Sequence, residues 1–396
     1  VAFSTESEYR PYHPSESAAS FYTHDNDRDY IVIQDLDHFN YAIHEYTHLV
    51  IARSGLRIPL WMNEGWADLN STLTEKGKKA MIGDIIPGRR EALLRNTWIP
   101  LADLDKVDQR SPMYNEREKA SVFYGESWAL VHMLFLAPQY RKKFDLFVQA
   151  TVAGKSLADA CLTAFGKSAA VVQQDLVKYI GNNQLDGAVF DVNLAGVQVN
   201  PVISTMTPLD TGLLLADVLT LTRKFPEAKT ALEELSKQYP ADPRIPEALG
   251  YLTIKMGDRA EGMRLLKESF DKGSNDALMC YRLAVLLHAT SVNRGAVLII
   301  LRRAIQLQPD YPDARLQLGI TLLESQDYAG SLNELRAISK IPEANALWYF
   351  AATGIDNAKL GHSEEARKNI DLARKWAKTP AQNQQLDQMM SALGAK

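Results

Sequence analysis

Cysteine is almost missing from this chain, with only Cys161 and Cys280 in 396 residues. The two fall in stretches of different texture, so no disulfide framework organises the fold, although an oxidising compartment is not excluded. Long apolar runs are missing too: no stretch of roughly 18 apolar residues exists that could span a bilayer. There is no excess of one charge either. The net charge is −4 and the pI about 6.1, which favours neither nucleic acid nor an anionic membrane surface as a partner. No G-x-S-x-G, Walker A or dinucleotide fingerprint occurs, so the sequence signs of a nucleophile elbow, a P-loop and a Rossmann site are absent.

What is present is a globular composition, 46% hydrophobic and 23% charged, sufficient to bury a core. At roughly 100–200 residues per domain the length gives two or three domains. The chain opens on Val1-Ala2-Phe3-Ser4, which reads as a strand. The natural N-terminus is therefore expected to have been removed, as a signal peptide or by truncation. A bacterial periplasmic or secreted location is the corresponding expectation.

Texture changes near residue 205. Beyond it, small residues recur at Ala216, Gly250, Ala284, Gly319 and Gly354, at intervals of 34, 34, 35 and 35. A second set follows at Ala228, Gly262, Ala296, Ser331 and Ala366, and Pro240, Pro309 and Pro342 close several repeats. An irregular bundle would show no such interval. The period is that of the tetratricopeptide repeat (TPR), whose two helices approach through small residues. Leu360–Ala373, LGHSEEARKNIDLA, resembles a TPR turn and second helix. The expectation is an all-α TPR solenoid over 205–396, with five helix pairs and a polar tail after Pro380.

Residues 1–204 are mixed. Short runs of β-formers at Ala19–Thr23 and Tyr30–Gln34 flank the turn-rich His24–Arg28. Helices are expected from Asp37 to about Ser54, ending at Gly55, and from about Leu60 to Leu73 after Pro59. Lys76–Ile86 suggests a strand or hairpin. Helices then follow at about 89–96, 118–137, 139–152, 155–165 and 168–182, and Gly187–Ser204 reads as an extended connector.

The second expected helix of this region is preceded by chemistry on the first. His44-Glu45-Tyr46-Thr47-His48 is an HExxH string. On a helix, residues four apart share a face, so His44 and His48 can present two imidazoles to one metal ion. Glu45 lies about 100° round, able to reach a metal-bound water without ligating the ion. Chance alone produces such a string in about one chain in a hundred of this length, so more is needed. A catalytic zinc takes three protein ligands. Glu64, separated from His48 by fifteen residues and a turn, returns to the same place if the second helix folds back. Asp68 falls one turn later on the same face, where a carboxylate can accept the other N–H of a ligand histidine.

The run HEYTHLVIARSGLRIPLWMNEGWADLNSTL resembles the gluzincins, the thermolysin-like branch of zinc peptidases, through HExxH followed by Asn63-Glu64 and Asp68. More loosely, the whole chain resembles peptidase-MA-like proteins with appended TPRs. The resemblance implies an α+β zincin-like domain over 1–204, with a helical lower part about 118–185. It implies Zn2+ held by His44, His48 and Glu64, with Asp68 behind a ligand histidine. Glu45 would be the general base that takes a proton from a zinc-activated water and passes it to the leaving amine. In gluzincins a downstream His or Tyr supplies a further donor to the oxyanion. Tyr124, in SVFYGESW, is the choice here. His132, eight residues later, shares its face only roughly. Gluzincins bind substrate as an added strand at a sheet edge, and Tyr30–Gln34 could form that edge.

The function expected is a zinc-dependent peptidase, with endopeptidase action preferred over aminopeptidase action for want of an exopeptidase signature. The TPR groove would recruit a protein partner or substrate. The competing expectation is a catalytically silent zincin-like TPR adaptor. An accidental HExxH is the third, made unattractive by Glu64 and Asp68. His13, His24 and His38 show no metal spacing, His24-Asp25 with Asp27 reads as a solvated turn, and His288 and His362 are expected to be structural.

Overall fold

The computed structural model describes residues 1–14, 18–25, 27–35, 37–115, 117–182, 184–192, 203–290 and 293–392. Two compact units form, Val1–Thr205 with Leu221–Lys224, and Met206–Thr220 with Phe225–Lys396. Among the described residues no helix is long and apolar enough to cross a membrane. Cys161 and Cys280 are buried free thiols.

The first unit begins with a helical turn, α1 (Glu6–Tyr9), and a hairpin of β1 (Ser20–His24) and β2 (Asp29–Ile33). The hairpin is antiparallel, with Ser20 opposite Ile33 and His24 opposite Asp29. The opening residues do not form a full strand. Ala2 makes only an isolated parallel bridge to Ile33, and the Phe3 N–H donates to Ile33 O (3.1 Å) while the Ile33 N–H donates to Val1 O (2.9 Å). That pairing has a consequence for the expected substrate edge. β2 is flanked on both sides at its C-terminal end, so among the described residues the open strand of the hairpin is β1, not Tyr30–Gln34.

Two helices follow. α2 (Phe39–Ser54) ends at Gly55, which takes the left-handed conformation with φ 73°. Pro59 then sets the start of α3 (Leu60–Ser71). A second antiparallel sheet runs β3-β4-β5, from β3 (Thr74–Lys76), β4 (Lys79–Ile82) and β5 (Ala188–Asp191). β5 lies within the expected connector Gly187–Ser204, of which residues 193–202 are outside the described residues. Helices fill the rest: α4 (Pro87–Arg95), α5 (Leu101–Leu104), α6 (Pro112–Asn115), α7 (Arg117–Leu136), α8 (Pro138–Arg141), α9 (Phe144–Val152), α10 (Leu157–Phe165) and α11 (Ala169–Gly181). The core joins Trp61, Met62 and Leu69 of α3 to Phe123, Trp128, Leu130 and Leu134 of α7, with Phe147, Cys161 and Leu176 beneath. α7 is therefore the central helix against which the short elements are arranged.

The second unit is a TPR-like stack of five helix pairs: α12 (Pro208–Leu221) with α13 (Phe225–Gln238), α14 (Arg244–Lys255) with α15 (Arg259–Asp271), α16 (Ala277–Ala289) with α17 (Arg294–Leu307), α18 (Pro312–Glu324) with α19 (Tyr328–Arg336), and α20 (Ala346–Lys359) with α21 (Ser363–Trp376). The repeating small residues lie between paired helices. A Cβ on Gly262 would come 2.9 Å from the Gly250 carbonyl oxygen and 2.4 Å from Ile254 Cγ1, so glycine is what lets α14 and α15 approach so closely here. Ala296 departs from the pattern: it is half-buried, and Val297 is the buried residue. The expected polar tail is instead α22 (Pro380–Ala392). Thr379 caps it, accepting from the Gln382 N–H (3.2 Å), and Leu386 and Met390, one turn apart, are buried against the last pair. The polar residues between them form the outer face that a terminal element of a stack requires.

Candidate metal centre

α2 places the His44 and His48 rings edge to face, 4.8 Å between centroids. Their Nε2 atoms stand 3.1 Å apart. α3 packs on α2 and brings Glu64 Oε2 to 3.5 Å from His44 Nε2 and 3.6 Å from His48 Nε2. Next to Glu64 is Gly65, whose Cβ would meet the Ser127 carbonyl oxygen at 2.3 Å and Val131 Cγ2 at 2.6 Å. Glycine at this point lets α3 lie hard against α7 and sets the depth of Glu64.

Each imidazole is held from behind. Asp68 Oδ1 is 3.0 Å from His44 Nδ1, and Asn63 Oδ1 is 3.0 Å from His48 Nδ1. Both are acceptors, so each Nδ1 carries the proton and each Nε2 lone pair is directed forward. Two such lone pairs beside a carboxylate oxygen repel unless positive charge lies among them. For the side chains alone a proton supplies it. Burial opposes the His44 imidazolium, but Asp68 and Glu64 outweigh burial and push its pKa up to about 10. Burial opposes the His48 imidazolium too, and Glu64 reverses the effect, raising it. Burial favours neutral Glu64 and Asp68, yet both are held below the usual carboxylate range. His44 and His48 do this for Glu64, and Arg89 followed by His44 does it for Asp68.

The donor set fits zinc. In a tetrahedral site with bonds near 2.0–2.1 Å, neighbouring ligand atoms stand about 3.3 Å apart. The three atoms here are separated by 3.1, 3.5 and 3.6 Å, and they share a centre about 2.0 Å from each. Among the described residues, His44, His48 and Glu64 are the one group of His, Cys, Asp or Glu side chains close enough to hold an ion together.

Around this triangle the structure assembles residues from distant parts of the chain. Glu45, 6% exposed, accepts a hydrogen bond at Oε1 from Ser20 Oγ of β1 (2.7 Å). Arg89 of α4 donates to both Asp68 oxygens, at 2.6 and 3.3 Å, and its guanidinium lies 4.6 Å from the centre of the Tyr124 ring. Tyr114 of α6 donates its hydroxyl to Glu64 Oε1 (3.2 Å). Tyr124 lies against Tyr114, 5.7 Å between ring centres. Burial first, then the charge of Glu64, raises the phenol of each tyrosine above its ordinary range. Tyr124 is thus brought to the site at one remove, and Tyr114 makes the contact with Glu64.

His132 is not at the site. It is fully buried in α7, with Nδ1 on the Tyr179 hydroxyl and Nε2 on the Gly83 carbonyl, each at 2.9 Å. Eight residues along a helix leave it about 80° off the Tyr124 face, enough to turn it into the core. Sequence reasoning missed Tyr114, Arg89 and Ser20. Asn63 stood in the quoted Asn-Glu pair without a role, and its place before Glu64 was the one available signal.

No protein-family model matches this chain, and no curated protein matches it. Among solved structures the chain is similar to YrrB, described as a TPR protein with an unusual peptide-binding site, at 16% identity over 45% of this chain and 90% of that one, with a TM-score of 0.39. It is similar to MamA at 19% identity over 44% of this chain and 93% of that one, with a TM-score of 0.36. A third similarity is to MamA from Desulfovibrio magneticus RS-1, 19% identical over 39% of this chain and 86% of that one, with a TM-score of 0.32. At these scores the description of the second unit rests on its own repeat intervals and helix pairing.

Proposed function

We propose that this chain is a zinc-dependent peptidase, with His44, His48 and Glu64 holding the ion and the helix-pair unit recruiting a protein partner or substrate. One observation carries the proposal: two Nε2 atoms and a carboxylate oxygen converge at zinc-ligand separations, with both Nδ1 atoms tied to acceptors. When bound, zinc supplies Lewis-acid polarisation of a carbonyl and lowers the pKa of water. The residues do the rest. Glu45, buried beside the ligand helix face, takes a proton and later gives it to the leaving amine. β1 offers the open edge to an extended substrate chain. Tyr114, whose hydroxyl reaches Glu64 and whose ring packs on Tyr124, serves as the donor to developing negative charge once its proton turns from that carboxylate. Asp68, Arg89 and Asn63 keep the ligand rings in one tautomer.

The test is Glu45→Gln in the full chain, assayed for zinc by mass spectrometry and for cleavage of a mixed peptide library. Zinc should be retained and cleavage should fall by about 10²–10⁴-fold. Cleavage at the parent rate would remove Glu45 from the role.

A second reading is favoured by the helix-pair unit taken alone: an adaptor that binds protein through its TPR-like stack and holds metal without turnover. It asks less of the geometry, because no residue has to move a proton. Stoichiometric zinc with no cleavage of any library peptide supports it.

A further inference from the structure

We propose that Ser20 is a positioning residue that couples the β1 edge to Glu45, keeping the carboxylate in register with a chain bound on that edge. The proposal rests on the peptidase reading above and goes beyond it by assigning a role to a residue outside the zinc-binding run.

The ladder decides where Ser20 faces. Its partner Ile33 spends its N–H on Val1 O and its C=O on the Phe3 N–H, both on the side away from β1. In an antiparallel pair, residues opposite one another either both face inward or both face outward. Ser20 therefore directs its backbone N–H and C=O to the open side of β1. The bond from the Gln34 N–H to Ala19 O (3.0 Å) agrees, since the inward-facing group belongs to the neighbouring residue. The same residue gives its hydroxyl to Glu45 Oε1 at 2.7 Å. One amino acid thus faces an incoming strand with its backbone and the proton acceptor with its side chain.

The position is fixed from below. Tyr9, 2% exposed, donates its hydroxyl to Ala18 O (2.7 Å) and pins the approach to β1. Glu45 is a buried side chain with three rotatable bonds, and a buried polar group of this kind needs partners to hold its place. Ser20 supplies one at 2.7 Å. With Oε1 held, proton transfer falls to Oε2.

The experiment uses the full chain and four variants: Ser20→Ala, Ser20→Thr, Glu45→Gln and the double Ser20→Ala/Glu45→Gln. Three quantities are measured: bound zinc, affinity for a hydroxamate-capped dipeptide by calorimetry, and kcat and KM on a peptide selected from the library. The hydroxamate hydroxyl needs the Glu45 carboxylate as its acceptor. Zinc content should be equal throughout. Ser20→Ala should weaken the hydroxamate and lower kcat about 10- to 100-fold, with KM little changed, the worth of one hydrogen bond to a charged group. Ser20→Thr, which keeps the hydroxyl, should restore both to within about threefold. In the Glu45→Gln background the loss of Ser20 should change hydroxamate affinity less than about twofold. A zinc-loaded Ser20→Ala protein with parental affinity and kcat overturns the proposal while leaving the peptidase reading standing. A parent that takes up no zinc overturns the peptidase reading, and this proposal with it.

Discussion

Asp68 does two jobs that substitution should separate. It accepts from His44 Nδ1 at 3.0 Å, and it neutralises Arg89, which sits at 2.6 Å with 28% of its side chain exposed against 6% for Asp68. Asp68→Asn and Asp68→Ala both remove the charge and leave Arg89 unpaired. Breaking a buried pair from one side costs about 3–5 kcal/mol. Arg89 retains some water and the face of Tyr124, so the lower end applies, about 3 kcal/mol. For a unit of this size that lowers Tm by roughly 6–12 °C, measured by calorimetry with chelator present so that metal binding does not contribute. The two variants should therefore melt alike. Zinc affinity should not change alike. Asn keeps an oxygen for His44 and should weaken binding about 10-fold; Ala leaves Nδ1 without its acceptor and should weaken it about 100-fold. Competition with a chromophoric chelator reads this directly. Equal zinc affinity in the two variants, or parental affinity in either, would refute the link between Asp68 and the His44 tautomer.

Tyr114→Phe should lower kcat about 10- to 100-fold at unchanged zinc content. Tyr124→Phe, acting through Tyr114, should cost less; the reverse ranking would return the direct role to Tyr124. Glu126, fully buried on α7, accepts from the Ile99 N–H at Oε2 while Oε1 has no partner, and burial pushes its pKa up to about 8. A carboxyl whose pKa is higher folded than unfolded favours the fold only while protonated, so stability falls as pH rises from about 4.5 towards 8, by roughly 1.4 kcal/mol per unit. Glu126→Gln should flatten that slope and melt higher than the parent at pH 8; an unchanged pH dependence of Tm would contradict it.

Much of the site was legible because its spacing is local. His44 and His48 are one helical turn apart, and Glu64 and Asp68 repeat that spacing on the next helix, so two short helices carry the ligands and the residue behind one of them. The repeat unit was legible for a similar reason: small residues at a fixed interval mark close helix contacts, as Gly250 and Gly262 demonstrate. What escaped depends on chain returns that leave no periodic trace. Tyr114 lies 50 residues from Glu64 in a four-residue helix. Arg89 stands near the start of a helix with no apolar period to place it, and Ser20 meets Glu45 across 25 residues of chain. The last helix escaped because Leu386 and Met390 are its main apolar anchors within a polar run.

The central claim is that three side chains from α2 and α3 hold one zinc ion. X-ray absorption on the zinc-reconstituted full chain, with His44→Ala and Glu64→Gln beside it, tests this most directly. The account predicts one zinc per chain with two imidazole nitrogens and one carboxylate oxygen at about 2.0–2.1 Å, and a loss of stoichiometric zinc in both variants. Variants that bind as much zinc as the parent, or a parent that binds none, would contradict it.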